Sequence, residues 1–191
     1  MGHKEDLLAG AKECLIEIGY AKTTARDIVA VSKTNLASIG YHYGSLDALM
    51  TQAMIEMVGD WGEKFAAASS EQKAKGTEAK FRAVWRQLLK LFETDGALLL
   101  ASFEIGVAAS RSDPLKAIFA TAYADVRKEL PEDFMDAEAL DPKTRRAVGS
   151  LLLAIISGMT IQYLLDPEGT PTADELTLAM KTVAKAFVAK G

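Results

Sequence analysis

Two short helix-forming segments, separated by a three-residue polar stretch, constrain the fold of this chain more than any other feature. The first begins after Thr23 or Thr24 and the second after Asn35, and these residue types cap helix N-termini well. The intervening residues 32–34, Ser-Lys-Thr, predict a tight turn. Two short helices joined by such a turn form a helix-turn-helix unit, whose second helix can lie in the major groove of DNA.

The rest of the chain predicts further helices and no strands. Apolar residues from Leu7 to Ile18 recur on one helical face, and Gly19 ends that pattern as a C-terminal glycine would. Residues 130–143, LPEDFMDAEALDPK, are acidic and carry a proline near each end, and they are interpreted as a loop. The predicted fold is all-α with about nine helices, and the longer ones run from Ser45 to about Ala68, Thr77 to Glu93, Ala97 to Ala109, Pro114 to Glu129, Pro142 to Leu165, and Thr172 to about Lys190.

Charge and cysteine content restrict the classes of function. The 191 residues carry a net charge of −4, so any contact with nucleic acid must be local rather than driven by bulk charge. Around the short helices, Lys22, Arg26 and Lys33 outnumber the single acid Asp27, which makes this segment locally positive. Cys14 is the only cysteine, which excludes a disulfide framework and suits a reducing cytoplasm.

The sequence favours a cytoplasmic protein that does not cross a membrane. The first eight residues, MGHKEDLL, lack the apolar run of a signal peptide. Residues 148–165 approach the length of a membrane span, but they include Gly, Ser, Thr and Gln, so a buried helix is the preferred interpretation.

The second short helix carries a cluster of polar-tipped rings. Leu36, Ile39 and Tyr43 are expected to pack inward. The residues expected to face out are Asn35, Ala37, Ser38 and Tyr41. The hydroxyl of Tyr41 and the imidazole that follows it suit contacts to phosphate. Because helix-turn-helix shapes also occur in ordinary helical proteins, the shape alone leaves DNA binding and a purely structural role equally open.

Several short motifs of the N-terminal segment occur together in one known family. They are Gly19-Tyr20, Thr23-Thr24, Arg26-Asp27-Ile28, Tyr41-His42-Tyr43-Gly44-Ser45 and Ala48-Leu49, with weaker signals in RSDPL from Arg111 and SGMTIQYLLDPE from Ser157. Through them the segment from about Leu7 to Met50 resembles the N-terminal DNA-binding domain of the TetR family of transcriptional repressors. The resemblance implies an all-helical homodimer in which residues 1–46 bind a palindromic double-stranded DNA operator. Residues 47–191 would then form a helical-bundle domain for a small-molecule ligand and for dimerisation.

The predicted DNA-binding residues combine this resemblance with the local positive charge. The resemblance implies that Thr24 caps its helix near a phosphate group and that residues 35–38 face the bases. It also implies that Tyr41 and His42 contact phosphate. The set is Thr24, Arg26, Lys33, Asn35, Leu36, Ala37, Ser38, Tyr41 and His42.

Three departures from the family pattern bear on DNA affinity. In the family the turn usually reads Ala-Gly-Val. Here Lys33 replaces the glycine, which suits a left-handed turn, and Thr34 puts a hydroxyl where an apolar side chain usually packs. Leu46 replaces a phosphate-contacting Lys, and Gly40 replaces a residue that is often aromatic. We therefore expect a looser turn and DNA binding that is weaker and less sensitive to salt.

Glu104 and a set of aromatic residues form the predicted ligand pocket. Glu104 lies in an apolar stretch, so its carboxylate either makes a structural hydrogen bond or contacts a cationic or hydroxyl-bearing ligand, and the structural role is the commoner one. The aromatic and Met residues are equally compatible with plain core. The pocket candidates are Trp61, Phe65, Trp85, Phe92, Phe103, Glu104, Phe119, Tyr123, Met159, Gln162 and Tyr163.

The last two long helices carry the predicted dimer interface. Their apolar faces, with small residues that permit close approach, suit a four-helix interface between two subunits, although the same faces could only complete the monomer core. The interface candidates are Leu151, Leu152, Ile155, Met180, Val183 and Phe187.

Other classes of function have less support from the sequence. His42 has no second reliable His and no Cys nearby, and no nucleophile-elbow or phosphate-loop motif occurs, so no catalytic residue, metal or cofactor is predicted. The alternative to a repressor is a helical small-molecule-binding or scaffold protein that has lost DNA binding. Leu46, Thr34 and the acidic total charge favour that alternative.

Overall fold

The fold is known from a computed structural model that describes residues 2–70 and 74–188, without the side chains of residues 61, 65–70 and 114. Over these ranges the chain forms helices and no strand, which confirms the predicted all-α fold. The helices are α1 (His3–Glu17), α2 (Ala25–Ser32), α3 (Leu36–Tyr43), α4 (Leu46–Ser70), α5 (Thr77–Thr94), α6 (Gly96–Ser110), α7 (Asp113–Phe134), α8 (Pro142–Leu165) and α9 (Ala173–Val188).

The chain divides into two compact units. The first consists of residues 1–64 together with 97–119, and the second of residues 65–96 together with 120–191. The first unit therefore holds α1–α3, most of α4, α6 and the start of α7. The predicted boundary after residue 46 falls inside this unit, and the assignment of separate functions to residues 1–46 and 47–191 stays a prediction.

The core of the first unit is built from one face of each helix. Leu7 and Leu15 of α1 are fully buried, and Ile28 of α2 and Ile39 of α3 join them. Burial of each such side chain contributes about 1.5–3 kcal/mol. Cys14 lies in the same core, where burial raises the pKa of its thiol, so its environment is that of a small apolar residue.

The core of the second unit is aromatic. The ring centroid of Phe134 on α7 lies 5.7 Å from that of Phe81 and 6.2 Å from that of Trp85, both on α5. About two turns further along α5, Phe92 contacts Tyr163 of α8 with ring centroids 5.6 Å apart. Pairs with this spacing contribute about 0.5–1.5 kcal/mol beyond the burial of their area.

Ion pairs connect α5 to α9 within the second unit. Nε of Arg82 lies 2.8 Å from Oδ1 of Asp174, and Nζ of Lys181 donates to Oε2 of Glu78 at 2.8 Å. Ala173 and Thr177 are buried at the same contact, but every residue from 181 to 188 is exposed. The N-terminal half of α9 therefore packs on α5, and its C-terminal half has no neighbour within the described chain that covers it.

Helix α7 corrects one sequence-based expectation. Residues 130–134 were predicted to be a loop, but the helix continues through Pro131 to Phe134 because Leu130 and Phe134 are buried. Pro131 has no N–H to donate to the carbonyl oxygen of Arg127 four residues earlier. That oxygen lies against Gly149 of α8, where a Cβ atom would be only 1.9 Å from it. One backbone hydrogen bond is thus missing from α7 at the place where α8 approaches it unusually closely.

Helix α8 has one buried face and one exposed face. Its 24 residues have a mean hydropathy of 1.8 over an 18-residue window, which by length and composition alone would allow a membrane span. Leu152, Ile156 and Met159 are buried in the second unit, whereas Leu151 and Leu165 are exposed. The prediction of a buried helix is therefore correct for one face only.

Candidate nucleic-acid interface

Thr24 begins α2 through a reciprocal cap. Its side chain accepts a hydrogen bond from the backbone N–H of Asp27, and its own backbone N–H donates to Oδ2 of Asp27 at 2.8 Å. The Thr24 hydroxyl donates to the same oxygen at 2.6 Å. These hydrogen bonds hold the pKa of Asp27 below its ordinary value of 3.8. The cap fixes the first turn of α2 and places the predicted phosphate-contacting residue at the helix N-terminus, where backbone N–H groups favour anions.

The turn between α2 and α3 is closed despite its unusual sequence. Lys33 adopts a left-handed conformation with φ of 53°, the only positive φ at a non-glycine residue over the described ranges. Its N–H and that of Thr34 both donate to the carbonyl oxygen of Val29. The hydroxyls of Ser32 and Thr34 lie 2.8 Å apart in a hydrogen bond. The hydroxyl that the sequence analysis expected to loosen the turn therefore bridges it instead.

Helix α3 packs on the first unit through Ile39 and Tyr43. Asn35 caps it by accepting from the N–H of Ser38 at 3.1 Å, and Ile39 is buried with 4% exposure. Leu36 was expected to pack inward, and this is wrong, because 52% of its surface is exposed. Ile39 and Tyr43, four residues apart, occupy the inward face of this two-turn helix, so Leu36 lies with Ala37 on the outer surface.

The C-terminal end of α3 presents polar rings. Tyr41 is 86% exposed, and its ring centroid lies 4.8 Å from that of His42 in an edge-on arrangement. Tyr43 is half-buried, and its hydroxyl donates to the carbonyl oxygen of Lys4 at 2.8 Å. Burial raises the pKa of Tyr43, so it remains a neutral donor. This bond ties the end of α3 to the start of α1, a contact that the sequence analysis did not foresee.

The predicted DNA-binding residues lie together on α2, α3 and the caps before them. Arg26, Lys33, Asn35 and Ala37 are exposed in addition to Thr24, Leu36 and Tyr41, while Ser38 and His42 are half-buried. The set contains two cations, hydroxyls, an amide and an imidazole, which are the groups that contact phosphate and base edges. Their roles in DNA binding stay predictions.

The predicted ligand-pocket residues are divided between the two units. Phe103, Glu104 and Phe119 lie in the first unit, and the others with described side chains lie in the second. Trp85 and Phe92 are fully buried, Met159 is 6% exposed and Tyr163 is half-buried, whereas Tyr123 and Gln162 are exposed. The side chains of Trp61 and Phe65 lie outside the described residues.

Two features near these residues were not foreseen. The indole Nε1 of Trp85 is buried and has no hydrogen-bond acceptor among the described residues. An open groove of about 400 Å³ lies between α5 and the start of α9, lined by Arg86, Leu89, Lys90, Glu93, Thr172, Ala173 and Asp174. None of the predicted pocket residues lines this groove. The spacing of residues along the sequence could not indicate the groove, because its walls come from the distant segments 86–93 and 172–174.

Glu104 makes a structural hydrogen bond at the edge of a small cavity of about 100 Å³. Its Oε2 accepts from the backbone N–H of Tyr20 at 2.9 Å, in the turn between α1 and α2. This arrangement agrees with the structural alternative for Glu104. The sequence feature that could have indicated this contact is Gly19, whose lack of a side chain leaves room for the carboxylate.

The predicted dimer-interface residues show different degrees of exposure. Leu151 is 57% exposed, Val183 52% and Phe187 81%, while Ile155 and Met180 are half-buried. Leu152 is 6% exposed and belongs to the core of the second unit. Half of the predicted set, namely Leu151, Val183 and Phe187, is thus uncovered apolar surface on α8 and α9.

Comparisons with known proteins agree with this architecture. Residues 77–188 match the family model of the C-terminal domain of BetI-type transcriptional repressors. The nicotine-responsive transcriptional repressor HdnoR of Paenarthrobacter nicotinovorans is 26% identical over 170 residues, which cover 86% of this chain and 84% of that protein.

Solved structures share the fold at lower sequence identity. A transcriptional regulator from Streptomyces coelicolor A3(2) has a TM-score of 0.75 at 20% identity, covering 95% of this chain and 97% of its own. The multidrug binding protein EbrR, solved with ethidium, has a TM-score of 0.70 at 23% identity, covering 94% of this chain and 96% of its own. With the helix-turn-helix geometry of α2 and α3 and the match of the C-terminal helices, the chain belongs to the TetR family of transcriptional regulators, a non-enzymatic class.

Proposed function

We propose that this protein is a cytoplasmic repressor that binds a palindromic operator as a homodimer and responds to a small-molecule effector. The observation that carries the proposal is the exposure of α3, on which Ile39 is buried while Leu36, Ala37 and Tyr41 are uncovered. A helix anchored on one face by Ile39 and Tyr43 and open on its other face can enter a major groove without unfolding its neighbours.

Local charge supports contact with DNA despite the acidic total. Arg26 and Lys33 are exposed on the same unit as α3, and Thr24 caps α2 at an N-terminus that favours anions. Leu46 begins α4 without a cation, so fewer phosphates are neutralised. Each missing phosphate contact lowers the slope of log affinity against log salt by about one unit.

Exposed apolar surface supports a dimer through α8 and α9. Phe187 and Leu165 are each 81% exposed, and Val183 lies one turn before Phe187 on the uncovered half of α9. Two helices from each subunit would bury these side chains in a four-helix interface. Leu152 supports the monomer core instead, since it is already buried.

The second unit supports an aromatic effector. HdnoR is nicotine-responsive and EbrR was solved with ethidium, so both relatives are associated with aromatic nitrogen compounds. In this chain the unpaired indole N–H of Trp85 lies among the rings of Phe81 and Phe134. We infer a small aromatic effector with a hydrogen-bond acceptor, because an unsatisfied buried donor costs about 1–3 kcal/mol until it is paired.

Selection of bound sequences from random duplex DNA tests the proposed function. We expect enrichment of a palindrome whose half-sites are about one helical turn or somewhat more apart, and a saturable gel shift that weakens with salt. A scrambled duplex of the same composition is the control.

Two outcomes would contradict the proposal. Enrichment of no sequence at low salt would refute operator binding. Effector binding without any DNA affinity would identify the chain as a helical binding protein that has lost DNA binding, as Leu46 would allow.

A further inference from the structure

The carboxylate of Glu104 on α6 holds the turn between α1 and α2. Its Oε2 accepts a hydrogen bond of 2.9 Å from the backbone N–H of Tyr20, which lies 84 residues earlier in the chain. Both residues are half-buried in the first unit. A hydrogen bond between a charged group and a backbone N–H at reduced solvent exposure is among the stronger single contacts in a protein.

Gly19 is required for this approach on two independent grounds. Its φ is +87°, a conformation that residues with a Cβ rarely adopt. A Cβ at this position would also lie 2.7 Å from Oε2 and 3.2 Å from Oε1 of Glu104. The backbone and the carboxylate are therefore fitted to each other, and a larger residue at position 19 would displace Glu104.

The held turn leads directly to the N-cap of α2. The hydroxyl of Thr23 donates to the carbonyl oxygen of Gly19 at 2.8 Å, and its backbone N–H donates to the same oxygen at 3.2 Å. The next residue, Thr24, caps α2. The peptide group between Gly19 and Tyr20 is thus bound at its oxygen by Thr23 and at its nitrogen by Glu104.

We propose that Glu104 is a positioning residue for operator binding, which acts by fixing the 19–24 turn and with it the phosphate-facing N-terminus of α2. This inference rests on the proposed repressor function. In this role Glu104 acts through the turn and without touching DNA, because its Oε2 is bound to the N–H of Tyr20. Orientation of a binding group by a supporting hydrogen bond changes affinity even though the supporting group touches no ligand.

The negative charge of Glu104 lets the direction of the change in DNA affinity separate two effects of its removal. A carboxylate in the DNA-binding unit repels phosphate, so its removal alone would strengthen DNA binding. A loss of affinity on removal of Glu104 therefore reports the loss of the hydrogen bond. Glu17 provides the matched control, because it is exposed on α1 and lines the same cavity of about 100 Å³ beside Glu104.

The experiment compares operator dissociation constants of the full chain and three variants, at a temperature where all are folded by circular dichroism. We expect Glu104→Ala to weaken operator binding about tenfold, the size of effect that loss of a charged hydrogen bond produces. Glu104→Gln retains an acceptor oxygen and is expected to restore most of the affinity. Glu17→Ala removes the same charge and is expected to bind as tightly as wild type or more so.

Hydrogen exchange gives a second readout that does not depend on DNA. Exchange of the Tyr20 amide is expected to accelerate in Glu104→Ala and to stay slow in Glu17→Ala. In a double-mutant cycle, Gly19→Ala is expected to be less damaging in the Glu104→Ala background, because the clash with the carboxylate is gone.

The outcomes separate this inference from the repressor function. Equal operator affinity in Glu104→Ala and Glu17→Ala would overturn the positioning role while leaving the repressor function intact. A loss in Glu104→Gln as large as in Glu104→Ala would show that the hydrogen bond is not the cause. Failure of the wild-type protein to bind any operator would refute the repressor function itself, and the positioning role with it.

Discussion

Gly149 of α8 offers a sharp test of how closely α7 and α8 are packed. A Cβ added there would lie 1.9 Å from the carbonyl oxygen of Arg127, 2.6 Å from its carbonyl carbon and 2.8 Å from its Cα. Because all three atoms belong to the backbone, no side-chain rotation can relieve the clash, and one of the two helices must shift by about 1 Å or more. Overpacking of this kind costs roughly 1–3 kcal/mol, and a backbone obstacle places Gly149→Ala at the upper end.

The opposing contribution is small. Alanine stabilises a helix interior relative to glycine by about 0.5–1 kcal/mol, which leaves a net loss of roughly 2 kcal/mol for Gly149→Ala. For a chain of this length the expected fall in Tm is roughly 4–8 °C, measured by thermal unfolding followed by circular dichroism. Gly59→Ala in α4 is the matched control, since a Cβ there meets nothing within 4 Å and should leave Tm unchanged or raise it. If both variants raised Tm equally, the close approach of α7 and α8 would be refuted.

Three further predictions concern the surface, the cap and the assembly. Tyr41→Ala should weaken operator binding in a gel shift while leaving Tm unchanged, because the side chain is 86% exposed; unchanged binding would exclude it from the interface. Asp27→Asn should lower Tm at neutral pH. Since the lowered pKa of Asp27 stabilises the fold above its ordinary value of 3.8 and this contribution is lost as the pH falls through the folded value, the difference from wild type should shrink in acid. Val183→Glu should shift the protein from dimer to monomer in sedimentation, and a persistent dimer would place the interface elsewhere.

The sequence predicts the helices because their caps and apolar faces are local features. Thr24, Asn35 and Asp141 each cap the helix expected of them, and α5 begins at Thr77 as its pattern indicates. The end of α7 could not be foreseen, because proline usually ends a helix, whereas here the burial of Leu130 and Phe134 continues it. Local propensity was outweighed by packing that no short window of sequence contains.

The candidate site was predictable in its location and less so in its contacts. Resemblance and local charge indicated α2 and α3, but the direction of Leu36 depends on how little surface a two-turn helix can bury. The partner of Glu104 lies 84 residues away, and the sequence could only leave a structural and a ligand-binding role open. Contacts of this kind follow from tertiary structure, which spacing along the chain does not encode.

At Lys33, which has a left-handed backbone conformation, stability and DNA affinity favour different residues. A residue with a Cβ in this conformation costs on the order of 1–3 kcal/mol, so glycine would relieve strain at the turn while removing a cation from the proposed DNA-binding surface. Selection for heat resistance should therefore replace Lys33, whereas selection for tight gene silencing should keep it.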